Sequence, residues 1–392
     1  MSLVLDEHRQ YLTDKLRTAL FRKAIREVVR PGDKVLDLGA GTGILGLLAC
    51  EAGAARVYAV DAGGMIQVAR EVARANGFGD RVVGIEGIST RIELPEKVDV
   101  IVADQIGHFG IEAGVLEYFR DGARRFLKPG GRTIPSRVDL MVGAANFPQG
   151  WRNVEFWNSR PGGFDFSPAR KIAANTGYPT EHRLQKLLSA PARLASLDAI
   201  ASPLTFDAET TFAINKSGAM HGISGWFSAQ LSPHVVMTNN PAAPRAINRR
   251  NVFFPIDKEL RVRAGDRVRV AMNITPEQTL VTWRVAVSDK AGAERARFLH
   301  STMRGMLMTP DALLRTRRNF VPRLTRWGLA RRSVVELCDG RRTVAEIEDE
   351  LFRRHRDIFD SHERAAEFVA EVTTIYAEPG APSVPSRDGK PA

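Results

Sequence analysis

The chain has 392 residues and a mass of 43.2 kDa, more than one hydrophobic core usually holds, so two or three domains are expected. Hydrophobic residues at 44% and charged residues at 26% are ordinary globular values, while 56 Lys plus Arg against 45 Asp plus Glu leave a net charge of +11 that suggests a nucleic-acid or acidic partner. The uncharged runs Leu38–Cys50 and Ser217–Pro244 are too short, or too interrupted by His, Gln, Asn and Pro, to span a bilayer; the acidic start is no signal peptide; and Cys50 and Cys338 stand far apart with no metal-ligand spacing, so membrane, secreted and zinc classes are set aside.

Leu12, Leu16, Leu20, Ala24 and Val28 recur at helical spacing, which predicts one helix over Asp6–Val29, ended by Pro31-Gly32-Asp33. Strand and helix patterns then alternate. Strands are expected at 34–38, 56–60, 82–85 and 98–102, and helices over Ile44–Ala52, Met65–Asn76 and Gly114–Phe126, with a turn at Pro129-Gly130-Gly131. This rhythm implies a parallel, doubly wound sheet. From about Ser136 to Val287 short alternating strands predict a β-sandwich or barrel, interrupted from Phe147 to about Leu194 by a segment richer in Pro, Gly and helix formers. After Ser301 the pattern is helical, at Val334–Asp339, Thr343–His355 and Glu363–Tyr376, and residues 377–392, with four prolines, are expected to be disordered.

Counted by region, the charge is +1 over residues 1–133, +8 over 134–300 and +2 over 301–392. The excess therefore belongs to the β-rich part, and no aromatic-rich basic stripe accompanies it, which disfavours nucleic acid. Like charges repel at long range, so the excess also argues against a cationic histone-tail partner.

The segment Val35-Leu-Asp-Leu-Gly-Ala-Gly-Thr-Gly-Ile-Leu45 closes a strand and opens a helix. Gly39, Gly41 and Gly43 let the backbone turn tightly against a ligand, Asp37 lies inside the strand, and Asp61 ends the next strand, where a carboxylate can take both ribose hydroxyls. The spacing is neither the dinucleotide fingerprint nor a P-loop, and it resembles that of S-adenosyl-L-methionine-dependent methyltransferases.

The flanking residues narrow the resemblance. His8-x-x-Tyr11-Leu-x-Asp14-x-x-Arg17-Thr-x-x-Phe21, the run Lys97-Val-Asp-Val-Ile-Val-Ala-Asp-Gln-Ile-Gly-His-Phe109, Leu127-Lys-Pro-Gly-Gly-Arg-Thr-Ile-Pro135, Phe156-Trp-Asn and Gly222-Ile-Ser-Gly-Trp-Phe resemble protein arginine methyltransferases, through about residue 290. The resemblance implies that Arg17 pairs with the cofactor's carboxylate, Asp61 holds its ribose, Gly39 and Gly41 border its methionine end, and Ile88 and Ser89 border its adenine. It further implies that the inserted segment, about 147–183, is a dimerisation arm.

Departures fall mostly on the acceptor side, with one beside the adenine. The family holds its substrate guanidinium with two glutamates in the loop after the fourth strand; the first position is Asp104, shorter by a methylene, the second matches Ala113, and Glu112 stands one residue early. A family tyrosine is His108, the family's glutamate beside the adenine is Thr90, and its Thr-His-Trp triplet falls on Ala246-Ile247-Asn248. Asp104, His108 and Glu112 are the titratable groups of the loop and hence the candidate catalytic residues, since a guanidinium nucleophile must be oriented and must lose a proton.

Ser333–Leu351, with a Thr343 cap and Glu346 three residues on, resembles the small winged-helix modules of the PqqD type, which recognise leader segments of ribosomally made peptides by adding a strand to a sheet edge. An ordinary helical cap and a nucleic-acid winged helix are the competing readings.

The combined expectation is an α/β chain: a Rossmann-like class I methyltransferase domain over 1–133, a β-barrel substrate domain over 134–300 carrying the arm, a winged-helix-like module over 301–376 and the tail. It should work in the cytoplasm as a homodimer, without a metal, methylating a nitrogen of a peptide or amino-acid substrate, an arginine of a ribosomally made peptide among them. The alternatives are oxygen methylation of an acidic peptide or metabolite, and a non-catalytic peptide-binding protein that retains the fold.

Overall fold

The computed structural model describes residues 4–181, 186–276, 280–307, 309–315 and 317–378, and the chain forms two compact units, Met1–Leu307 and Met308–Ala392. The tail expected to be disordered lies, from residue 379 on, outside the described residues, as do 182–185 within the inserted segment.

The single leading helix expected from periodicity is two, α1 (Val4–Thr13) and α2 (Lys15–Val28). Asp14 separates them. At φ −75° and ψ 85° it leaves the helical region, and its Oδ1 accepts the Arg17 N–H at 3.0 Å, the cap that starts α2. Phe21, Ala24, Ile25 and Val28 then form one buried stripe, while Arg17, on the same helix, is buried as well at 6% exposure.

Five strands form a parallel sheet: β1 (Lys34–Leu38), β2 (Arg56–Asp61), β3 (Val82–Glu86), β4 (Val98–Val102) and β5 (Leu127–Ile134), with helices α3 (Ile44–Glu51), α4 (Met65–Ala75) and α5 (Val115–Phe126) between them. β1 and β4 are almost continuously apolar because a parallel strand is covered on both faces. The strand order is β3-β2-β1-β4-β5, so the order reverses between β1 and β4 and their carboxyl ends open a crevice. Pro129-Gly130-Gly131, expected as a free turn, is inside β5. Leu127 pairs with Val98 and Arg132–Ile134 with Val100–Val102, and Pro129, which has no N–H to donate, and Gly130, at φ 73°, fall in the register break between them.

Two antiparallel sheets follow. One is β10 (Phe206–Ala213), β14 (Arg267–Thr275), β15 (Leu280–Ser288) and β16 (Glu294–Ser301), in the order β10-β14-β15-β16. The other runs β7 (Tyr178–Thr180), β13 (Asn251–Val262), β11 (Gly218–Ser232), β6 (Arg137–Asn146), β8 (Lys186–Leu187), with β12 (Val235–Thr238) on β11 and β9 (Ala192–Asp198) on β6. Val268, Val270, Met272 and Ile274 alternate into the interior, and the Trp283 indole donates to the Pro255 carbonyl at 3.0 Å, so the large ring is buried without an orphaned donor. Side chains of both the parallel and the antiparallel sheets share one hydrophobic core. The inserted segment carries α6 (Pro148–Glu155) and α7 (Ser167–Ala173), and leaves Phe156, Phe164 and Phe166 at 50%, 73% and 40% exposure. The short α8 (Thr302–Gly305) closes this unit.

In the second unit α9 (Pro310–Arg315) precedes α10 (Arg326–Leu337), α11 (Val344–Arg354) and α12 (His362–Tyr376), which enclose Val334, Leu337, Ile347, Leu351, Phe359 and Val369. α10 begins well before the expected Val334 because Thr325 accepts the Gly328 N–H and caps it. The Thr343–Glu346 capping box forms as read from the sequence. The described residues of this unit contain no strand, so neither a β wing nor a sheet edge for strand addition is present among them. No described helix is long and apolar enough to cross a membrane.

Candidate active site

The glycine loop leaves β1 at the crevice. Gly39, Gly41 and Gly43 take φ 67°, 52° and 79°, the left-handed region that side chains avoid. Space is as restrictive as conformation: a Cβ on Gly39 would lie 1.8 Å from Gln105 Nε2, and one on Gly41 2.5 Å from His8 Cε1. Asp61 bridges the turn, its Oδ2 accepting the Gly41 N–H and its Oδ1 the Gly63 N–H, each at 2.9 Å. Each oxygen keeps a second lone pair for a hydroxyl. Gly39, Asp61, Ile88, Ser89, Gln105 and Tyr118 surround a cavity of about 170 Å³, so the residues expected at the ribose and adenine come together. Arg125 holds the segment below it by donating to the Ser89 and Ile92 carbonyls.

The adjoining cavity, about 350 Å³, is lined by His8, Tyr11, Arg17, Gly39, Gly41 and Asp61 together with Asp104, His108, Glu112 and Arg249. Arg17 Nε donates to Asp104 Oδ2 at 2.5 Å, and Arg17 Nη1 is buried with no partner. An orphaned, buried N–H of a guanidinium is costly, and a ligand carboxylate would satisfy it. Two expected contacts lie outside these linings. Asp37 is fully buried beneath the loop, its Oδ2 accepting the Gly46 N–H at 2.8 Å, and burial raises its carboxyl pKa to about 7. Gly43 starts α3, and a Cβ there would meet Ala69 Cβ at 3.1 Å, so it serves the packing of α3 on α4.

On the acceptor side Asp104 is not an open carboxylate. Arg249 grips it with two prongs, Nη1 to Oδ1 at 3.1 Å and Nη2 to Oδ2 at 2.7 Å, and also donates from Nη1 to the Ile106 carbonyl at 2.6 Å. All three side chains, Arg17, Asp104 and Arg249, are between 7% and 8% exposed. Burial pushes the Asp104 carboxyl up, but the Arg249 and Arg17 guanidiniums outweigh it and hold it below the usual carboxylate range. Asp104 therefore stays ionised and is no proton acceptor at neutral pH.

Glu112 is committed to its own loop. Its Oε1 accepts the N–H groups of His108 at 2.6 Å and Phe109 at 2.8 Å, and its Oε2 that of Ile111 at 3.1 Å. It orders the loop instead of offering a second grip on a guanidinium. His108 differs. Burial lowers its pKa, leaving a neutral imidazole whose Nδ1 has no hydrogen-bond partner. Buried Asn239 fixes its backbone by donating to the His108 carbonyl at 2.8 Å and to that of Arg250 at 2.7 Å. Arg249, Asn239 and Gln105 were not singled out from the sequence; the Arg249-Arg250 pair directly after the unmatched Asn248 was the available signal for the first.

Residues 16–140 match the family described as ribosomal protein L11 methyltransferase (PrmA), and residues 140–284 match the arginine methyltransferase oligomerization subdomain. Protein arginine N-methyltransferase 6 of Xenopus laevis is 30% identical over 287 residues, 69% of this chain and 83% of that protein. The chain belongs to the protein arginine N-methyltransferase family. Its members are S-adenosylmethionine-dependent enzymes, and the orphaned Arg17 Nη1 and the glycine cradle suit that cofactor. The probable protein arginine N-methyltransferase 6 of Arabidopsis thaliana is also 30% identical, over 57% of this chain and 54% of its own length, so the chain spans about half of that relative. Among solved structures, the Trypanosoma brucei PRMT1 enzyme-prozyme heterotetrameric complex with AdoHcy matches with a TM-score of 0.68 and 26% identity, over 75% of this chain and 96% of that one. Protein arginine methyltransferase 10 of Arabidopsis thaliana, at 21% identity and a TM-score of 0.64, shares the fold.

Proposed function

We propose that this chain transfers a methyl group from S-adenosylmethionine to an arginine nitrogen of a peptide or amino-acid substrate. The observation that carries the reading is a single cavity lined by the ionised Asp104, by neutral His108 and by Arg17, which bonds Asp104 through Nε and keeps Nη1 without a partner. The bound cofactor supplies an electrophilic methyl group on a sulfonium. Everything else falls to the protein. Arg17 takes the ligand's carboxylate, Asp61 its ribose hydroxyls, and Ile88 and Ser89 flank its base. Asp104, held ionised, orients a cationic acceptor through charge-assisted bonds. His108 accepts the proton that the acceptor nitrogen sheds, a task Asp104 is too acidic to perform.

The β-domain's +8 does not weigh against a cationic acceptor. Of that domain's arginines, Arg249 and Arg250 line the cavities around this site among the described residues, and Glu7, Asp14 and Glu181 offset them. The exposed phenylalanines at 156, 164 and 166, in a segment inside the matched oligomerization subdomain, support the arm reading: a second copy of the chain covers them. A leader-binding role for the second unit would use its helices, since its described residues offer no strand.

The test has two parts. Calorimetry with S-adenosylhomocysteine should show binding, and a folded sample that binds none rejects the reading. Mass spectrometry after incubation with arginine-containing and with acidic peptides should place the methyl group on an arginine nitrogen; a methyl ester would replace the proposal with oxygen methylation.

A further inference from the structure

The Asp104 carboxylate already holds a guanidinium, and it belongs to the chain itself. Arg249 meets it with the two-pronged geometry by which an arginine side chain is gripped, and adds the bond to the Ile106 carbonyl. Its Cζ lies 5.9 Å from the centre of the Tyr11 ring and 5.8 Å from that of Phe227, so the planar cation is also faced by aromatic surface. The segment that delivers it is anchored on both sides: Asn248 N–H donates to Asp14 Oδ2 at 2.7 Å, and Asn239 holds the Arg250 carbonyl.

Arg249 also stands between two cavities. The cofactor-side cavity, about 350 Å³, and an outer one, about 510 Å³, share Tyr11, Arg17, His108 and Arg249 in their walls. The outer one adds the carboxylates of Glu7, Asp14 and Glu181, which balance the guanidiniums of Arg17, Arg249 and Arg250 in the same wall, so a cationic side chain is not repelled from it.

We propose that Arg249 is a specificity-determining residue, an internal stand-in for the acceptor that must give up Asp104 before a substrate guanidinium can pass from the outer cavity into the cofactor-side cavity. The proposal rests on the reading of Asp104 as the carboxylate that holds the acceptor. Entry is then an exchange of one guanidinium for another. An acceptor that brings the same planar, two-pronged cation replaces the bonds it breaks, whereas an ammonium, a point charge with rotating donors, does not. The acceptor class that follows is a peptide arginine, with lysine rejected at this step.

The probe is methylguanidine, with methylammonium as the control cation, added to the full chain carrying S-adenosylhomocysteine and followed by calorimetry. Arg249→Ala should bind methylguanidine at least about tenfold more tightly than the wild type does, because the two-pronged site is no longer claimed. Methylammonium should gain nothing, and Asp104→Asn added to Arg249→Ala should abolish the gain. In the methyl-transfer assay the same Arg249 change should lower KM for an arginine peptide more than it changes kcat. Equal methylguanidine binding by wild type and variant, or weaker binding by the variant, overturns the proposal. Arg249→Gln keeps the stem of the side chain and serves if the alanine variant fails to fold. Retained S-adenosylhomocysteine binding identifies a folded cofactor site, so loss of that binding is charged to the functional reading and not to the gate.

Discussion

The two halves of the cavity are built on different principles. On the cofactor side the contacts come from short, consecutive stretches: three glycines within five residues, an aspartate at the end of the next strand, and Arg17 one turn into a helix whose start Asp14 fixes. On the acceptor side Arg17, Asp104 and Arg249 are brought together across separations of 87 and 145 residues. The first half keeps its family pattern except at Thr90, and the second departs from it at several positions. A local motif carries its geometry with it, whereas a charge cluster assembled from distant segments can be rewired by a change in any one of them.

The contrast breaks most directly at Asp104. Asp104→Asn removes the charge that two buried guanidiniums share, and we expect a loss of about 3–5 kcal/mol in urea unfolding at neutral pH together with loss of methyl transfer. Unchanged stability would mean that the cluster does not organise the acceptor side. On the cofactor side Asp37→Asn tests a group of opposite character. The raised Asp37 pKa, about 7 against an ordinary 3.8, means that the folded state binds a proton more tightly than the unfolded state. Its contribution is therefore present at low pH and is lost as pH rises through about 7, on the order of 4 kcal/mol in all. The asparagine variant should lack this decline while still accepting the Gly46 N–H, and a parallel decline in both proteins would reject the assignment.

His108→Gln sharpens the division of labour. A base contributes about 10²-fold or more, so kcat should fall by that order while cofactor affinity stays within error. Because burial lowers the His108 pKa, the wild-type rate should fall only on the acid side of about pH 6.5, and the variant should lose that limb. A retained acid limb would point to another proton acceptor. The smallest effect is expected for Arg17→Lys, which keeps the charge but loses the fork: S-adenosylhomocysteine should bind about tenfold more weakly. Unchanged affinity would remove Arg17 from the cofactor site.

Much of the site could be read before the fold was seen. Gly39, Asp61, Ile88 and Ser89, singled out by the motif and the resemblance, line one cavity, and Gly39, Gly41 and Asp61 line the cavity adjoining it. Asp37 and Gly43 belong to the same motif but serve the loop from beneath, a distinction invisible in a linear pattern because consecutive residues of a strand and turn point to opposite sides. Glu112 offered a carboxylate at a plausible position, and the loop's own N–H groups consume it. The helix break at Asp14 was hidden by unbroken apolar spacing, since Leu12 and Leu16 suit one helix as well as two.

Net charge followed the same course. The overall +11 is a sum that composition alone supplies, and its concentration in the β-rich region can be counted along the chain, but neither number describes the cavity. Hydrophobic period, glycine placement and capping residues act over a few neighbouring residues, so they were enough to determine the parallel sheet, the cofactor loop and the Thr343 cap. Which guanidinium sits on Asp104 was left to the tertiary structure, because it depends on how a loop of the β-rich region packs on the loop after β4, and no local interaction between residues 104 and 249 exists until the two segments pack together.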